Sequence, residues 1–161
     1  MNPITLPLVT VSAAGEVSLV HGGRPREFIR AAILELKDQL MALTAEHRET
    51  PVEHEFCDGM YIRRMRIPKD TLIVGKIHRL PCINVLQSGD LSVLTEVGSS
   101  RLGPGFMARS PAGMQKLGFA HQESVFVNIF RTDELDIETI EKQIACESYD
   151  LVNVNGALTC Q

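Results

Sequence analysis

No stretch of this 161-residue chain approaches the about eighteen consecutive apolar residues that a membrane-crossing helix needs. A helical membrane protein is therefore not expected. No basic region precedes the apolar residues of MNPITLPLVTVSAAG, so the N-terminus does not read as a secretion signal. Basic residues are not in excess either: 16 Lys and Arg stand against 20 Asp and Glu, a formal net charge of -4. Binding along a phosphate backbone relies on a basic surface, so general nucleic-acid binding is not expected. The four cysteines, Cys57, Cys82, Cys146 and Cys160, contain no CxxC pair. Neither a zinc ribbon nor a disulfide framework follows, and free thiols in a reducing cytoplasm fit the pattern. The chain also lacks a Ser-His-Asp pattern, a phosphate-binding loop and a dinucleotide fingerprint.

What is present is the balance of a soluble domain with a core, 44% hydrophobic and 22% charged residues. Residues 1–23 read as an irregular N-terminal arm. Val9 and Val11 alternate with Thr10 and Ser12, and Val17, Leu19 and Val20 follow Gly15, which suits a short hairpin or an extended arm reaching a neighbouring subunit. Residues 24–50 read as an amphipathic helix. Pro25 fits its first turn, where the missing N–H costs nothing, and Pro51 closes it. Ile29, Ile33, Leu36, Leu40 and Leu43 form one apolar stripe at four-three spacing. That stripe has two readings: a helix lying on its own barrel, or a contact between subunits. With the arm, it leads to the expectation of a homo-oligomer, most simply a dimer.

From Phe56 to Arg131 the texture changes to short runs of Val, Ile, Leu and Phe broken by Gly, Pro and Asp turns. Strands are expected over Tyr61–Ile67, Thr71–His78, Cys82–Gln87, Leu91–Val97, Phe106–Arg109, Gln115–Ala120 and Val125–Arg131. A turn is expected at Gly98-Ser99-Ser100. Frequent turns without intervening helices indicate an antiparallel all-β sandwich or barrel rather than a parallel sheet. Arg64 and Arg66 share one strand face with Arg63 opposite, and the group reads as a solvated outer surface. Residues 133–147 read as a second helix, capped by Thr132 or Asp133, with Ile137, Ile140 and Ile144 as its buried stripe. The expected organisation is an arm at 1–23, a helix at 24–50, a barrel with a C-terminal helix at 51–147, and a tail at 148–161.

Two stretches carry a family resemblance. In GKIHRLPCINVLQSG, residues 75–89, His78 is followed by three residues, then Cys82, then six residues, then Gly89. In GFMARSPAGMQK, residues 105–116, Gly105, Pro111, Gly113 and Lys116 stand at the spacing of a Gly, Pro-x-Gly, His pattern. These resemble the paired motifs of the cupin family, and GFAHQESVFVNIF is similar to small stand-alone cupins of bacteriophage genomes. The resemblance implies an all-β core, an antiparallel jelly-roll barrel, with an N-terminal and a C-terminal flanking α-helix. It places four positions together in the barrel mouth: Lys76, His78, Cys82 and Lys116. Only His78 keeps the family's metal ligand, because a protonated lysine has no free lone pair. If His121 turned inward, His78, Cys82 and His121 would make a three-ligand set, and thiolate with imidazole favours zinc over iron or manganese. The plainer readings are a hydrogen-bonded His78, a small buried Cys82 and a solvent-facing turn at His121–Ser124.

Two functions follow as expectations. One is a cupin-fold binding or structural protein with an eroded metal site and no cofactor, holding a small anionic ligand between Lys76, His78 and Lys116. The other is a metal-dependent cupin enzyme, a dioxygenase, isomerase or lyase acting on a small polar metabolite. A cytoplasmic location is expected, or a host cytoplasm or virion if the gene is phage-borne.

Overall fold

The turn residues do cut the chain into short strands, which pair in two facing sheets. The computed structural model describes residues 6–43 and 50–152. Its elements are β1 (Val9–Val11), β2 (Val17–Leu19), α1 (Arg26–Ala42), β3 (Val52–Cys57), β4 (Met60–Ile67), β5 (Thr71–Val74), β6 (Ile77–His78), β7 (Cys82–Ser88), β8 (Leu91–Thr95), β9 (Gly98–Leu102), β10 (Met107–Ser110), β11 (Leu117–Ala120), β12 (Ser124–Arg131), α2 (Ile137–Ile144) and β13 (Ala145–Cys146), followed by a 3-10 turn at Tyr149–Leu151. A five-stranded sheet runs β10-β7-β12-β4-β3 and a four-stranded sheet runs β5-β11-β8-β9, with every pairing antiparallel. Sequence neighbours β7 and β8 lie in different sheets, so the chain crosses between layers as a jelly roll does.

Period-two alternation decides what fills the space between the sheets. Ile67, Leu86 and Phe126 from the larger sheet meet Leu91, Leu102 and Ala120 from the smaller one. At one end α2 closes the barrel, where Ile140 and Ile144 pack on Tyr61, Cys82 and Phe130. Outside the smaller sheet, β1, β2 and α1 form a further layer. Ile29, Ala32, Ile33 and Leu36 of α1 bury with Leu8, Val9 and Leu19 against Leu94, Leu117 and Phe119. The middle strand β11 is thus buried on both faces.

The apolar stripe of α1 is therefore spent on the chain's own sheet: Ile29, Ile33 and Leu36 are buried, Leu40 packs beside them, and Leu43 is partly exposed. Residues 9–19 form the hairpin rather than a free arm, and it packs with α1. Residues 1–5 of the expected arm, 44–49 of the expected helix and 153–161 of the expected tail lie outside the described residues.

Other boundaries are corrected. The larger sheet begins at Val52, before Phe56, and includes His54 and Glu55 in β3. Gly98–Ser100 is the start of β9 and not a turn, because Gly98 already pairs with Thr95. The expected strand 71–78 breaks at Gly75-Lys76 as its pairing passes from β11 to β13. α2 starts at Ile137 and its cap is Asp136, whose Oδ2 accepts from the Thr139 N–H at 2.8 Å. Thr132 is used one step earlier, where its Oγ1 accepts from the Glu134 N–H at 3.1 Å.

Gly89 shows why the motif needs glycine. Its φ is +98°, and an added Cβ would stand 2.2 Å from Ser124 Oγ and 2.5 Å from Glu123 O. Gly105 has a similar φ of +89° but open space around it. Gly89→Ala should cost at least about 3 kcal/mol in urea unfolding, combining strain and clash, against about 1 kcal/mol for Gly105→Ala. Equal losses would show that the close approach at Ser124 is not limiting.

Candidate functional site

The two motif segments are joined backbone to backbone. The Gly113 N–H donates to the His78 carbonyl at 2.7 Å, the His78 N–H to the Met114 carbonyl at 3.0 Å, and the Gly75 N–H to the Lys116 carbonyl at 2.8 Å. Gly113 adopts φ +82°, the left-handed turn that brings its chain back onto His78. These bonds seat His78 and Lys116 at one end of the barrel interior, although 38 positions separate them (116 − 78).

A buried polar network surrounds them. Cys82 Sγ lies 3.6 Å from His78 Nδ1 and 3.4 Å from Asn84 Oδ1. Asn128 Nδ2 donates to Asn84 Oδ1 at 2.7 Å. Lys116 Nζ donates to Ser110 Oγ at 2.9 Å. With the thiol proton given to Asn84, the His78 Nδ1–H faces sulfur as donor and Nε2 is left as an acceptor. The edge of the His78 ring meets Phe130, centroids 5.4 Å apart.

Burial sets the charges. It pushes His78 down to about 3, helped by the Lys116 ammonium and then Arg63, so the ring is neutral at pH 7. Burial lowers Lys116 as well, opposed by the nearby Cys82. The Cys82 thiol is pushed up by burial, with Lys116 and the Ser110 hydroxyl pulling the other way. A thiol in this state is a poor thiolate source.

Two cavities lie between the sheets, and Lys116, Val93 and Phe126 line both. The narrower, about 80 Å³, reaches His78, Arg63, Lys76 and Asn128. The wider, about 320 Å³, is lined by Asn84, Ser110 and Lys116 on one side and by Leu102 and Phe106 on the other. No Asp or Glu lines either one. At the mouth of the narrower cavity, Glu141 of α2 lies 3.6 Å from Arg63 Nε and 3.8 Å from Lys76 Nζ.

An antiparallel jelly roll whose two glycine-proline turns lock together over an interior His and Lys settles the architecture. The fold is an antiparallel jelly-roll barrel with flanking helices. No family model matches the sequence, and no curated protein matches it. Solved structures similar in fold include an ectoine synthase from P. lautus, at 13% identity and a TM-score of 0.49, covering 63% of this chain and 78% of that one. A cupin domain from Bordetella pertussis is 20% identical, with a TM-score of 0.43 over 55% of this chain and 98% of that one. A cupin-2 domain protein from Shewanella frigidimarina is 15% identical, with a TM-score of 0.41 over 59% and 91%.

Within this barrel the expected site residues part company. His78 and Lys116 face the interior and Lys76 stands at the mouth, its side chain 54% exposed. Cys82 touches His78 but lines neither cavity, since α2 and Phe130 pack it into the core. The set of His78, Cys82 and His121 is not assembled. His121 sits at the far end of β11, five residues or about 16 Å along the strand from Lys116. Its Nε2 contacts Ser92 Oγ at 2.7 Å and its ring meets the edge of Phe119. Among the described residues no three His, Cys, Asp or Glu side chains gather in a way that could hold a metal ion.

Arg63 corrects the outer-face reading: it shares the inward register of β4 with Tyr61 and Ile67 and lines the narrower cavity. Asn84, Asn128 and Ser110 were missed. A signal existed, since each Asn is a lone polar residue in an apolar run, and Asn84 is in register with Cys82 and Leu86.

The neutral His78 has a pH consequence. The unfolded chain binds a proton near pH 6.5 and the folded chain only near 3. Stability is therefore complete above about pH 6.5 and falls as the pH drops toward 3, by up to about 1.4 kcal/mol per unit for this one proton. His78→Gln should remove that part of the slope. An NMR titration placing the His78 midpoint above pH 5.5 would contradict a desolvated ring.

Proposed function

We propose that this barrel is a binding module for a small organic anion with an apolar body. The supporting observation is Lys116, a half-buried, desolvated ammonium with one described polar partner, Ser110, on the wall between two cavities that no carboxylate lines. A desolvated cation without a counter-charge costs several kcal/mol, and a bound carboxylate or phosphate supplies the missing charge. The wider cavity matches small-ligand pockets in size, whereas the narrower one holds only two or three water-sized groups. The anionic group belongs at Lys116, Ser110 and Asn84, and the apolar part against Leu102, Phe106 and Phe126. That moves the ligand from the expected place between Lys76, His78 and Lys116 to the opposite side of Lys116.

The residues at the family's ligand positions do not suit a metal. Two are lysines, one is a thiol held protonated by burial, and His78 alone offers a neutral nitrogen. No catalytic step is derived from such a set, and binding is the activity that this chemistry supports.

The test is thermal unfolding at low ionic strength with a panel of short mono- and dicarboxylates and inorganic phosphate. A ligand at a hundred times its Kd adds about 2.7 kcal/mol. For a chain of this size that raises Tm by about 5–10 °C. Lys116→Met should raise the stability of the ligand-free protein and abolish the shift, while Lys142→Met on α2 should leave it intact. A shift that survives in Lys116→Met, or none with any anion, refutes the proposal.

A further inference from the structure

The wider cavity has a second end that binding at Lys116 leaves unused. In each sheet its wall runs from an inner strand to a free edge. Val93 of β8 pairs with Ser100 of the edge strand β9, and Asn84 of β7 pairs with Ala108 of the edge strand β10. The cavity therefore opens where the edges of the two sheets face each other. Asn84 and Ser110 at the closed end are 4% and 3% exposed. Ser100 and Arg109 at the opening are exposed. Ala108 and Ser110 face the interior, and Arg109 between them stands on the rim, on a strand with no neighbour on its outer side.

Both ends present donors without a counter-charge. At the closed end Lys116 Nζ gives one N–H to Ser110 and keeps two more. Asn84 Oδ1 is taken by Cys82 and Asn128, so its Nδ2 is left to donate. At the opening Arg109 has no ion-pair or hydrogen-bond partner among the described residues. The two cations share one cavity of about 320 Å³ that no Asp or Glu lines. Glu96, between the lining residues Thr95 and Val97, is turned to the other side of the smaller sheet, where Arg26 and Arg30 of α1 hold it. Between the two charged ends the wall is apolar, with Val93, Leu102, Phe106 and Phe126. A ligand that matches this order has an acid group at each end and an apolar chain between them. A guanidinium suits the outer group because it grips a carboxylate with two parallel N–H donors.

We propose that the wider cavity selects short organic diacids, with one carboxylate at Lys116 and the second held at the opening by Arg109. The inference rests on the anion reading and names the class of anion.

Calorimetric titration tests it, with the dicarboxylates from malonate to suberate and the monocarboxylates of matching length. Low ionic strength and about pH 7.5 keep every carboxylate ionised and unscreened. One diacid length should bind at least about tenfold more tightly than its monoacid, a difference that one charge-assisted contact supplies. Arg109→Gln, at an exposed position, should keep the fold by circular dichroism and remove that advantage, while the monoacid Kd stays within about twofold. Arg79→Gln, beside α2 and outside the cavity, should change neither. A wild type without diacid preference overturns the inference and leaves the anion reading standing. So does a preference that survives in Arg109→Gln, or one that Arg79→Gln removes as well. Binding of neither series overturns both.

Discussion

An ammonium group taken out of water must find compensation nearby or weaken the fold, and Lys116 brings one into the barrel interior. Much of the site follows from it. Ser110 is placed by β10 to accept from Lys116, and the Asn84–Asn128 pair lies across the same space. The positive charge also helps to keep His78 neutral, which lets the ring be buried without a counter-ion. At the mouth, where water can enter, Arg63 and Lys76 are instead balanced by Glu141 from α2. Interior and mouth thus treat cations differently because their dielectric surroundings differ.

The same constraint separates this barrel from a metal-binding one on an equivalent skeleton. The glycine and proline turns bring positions 76, 78, 82 and 116 to one end of the barrel. The charge at those positions is what tells against a metal. A divalent cation needs anionic or neutral lone-pair donors, and two lysines supply the opposite.

The two sheets meet different fates on their outer faces. β11, in the middle of the smaller sheet, carries Lys116 just before its start, and α1 with the β1–β2 hairpin seals its back. That layer is tied down by polar contacts too: Arg30 pairs with Glu96 and lies 4.3 Å over the Tyr149 ring, while the Tyr149 hydroxyl donates to Gln115 at 3.1 Å. The larger sheet has no such layer among the described residues, and Ile83 and Met107 on its outer side are exposed.

Most of the strands from Met60 to Arg131, though not β9 or the break after β5, the two helices and the motif turns were legible in the sequence, because period-two alternation and the Gly and Pro turns are local signals. Gly89, Gly113 and Pro111 also marked where the chain would return on itself. Other features were decided only by the tertiary structure. The α1 stripe looks the same in sequence whether it covers its own sheet or another subunit, and only packing against Leu94, Leu117 and Phe119 chose between them. Register within β4 turned Arg63 inward, and register between β7 and β12 put Asn84 beside Asn128. A linear pattern does not say whether His121 turns inward to join His78, and the length of β11 holds the two at opposite ends of the barrel. The reason is common to all of these. Local propensity acts over a few residues, whereas a site is made by strands brought together across the sheet, and the cost of burying each charge depends on what those strands place beside it.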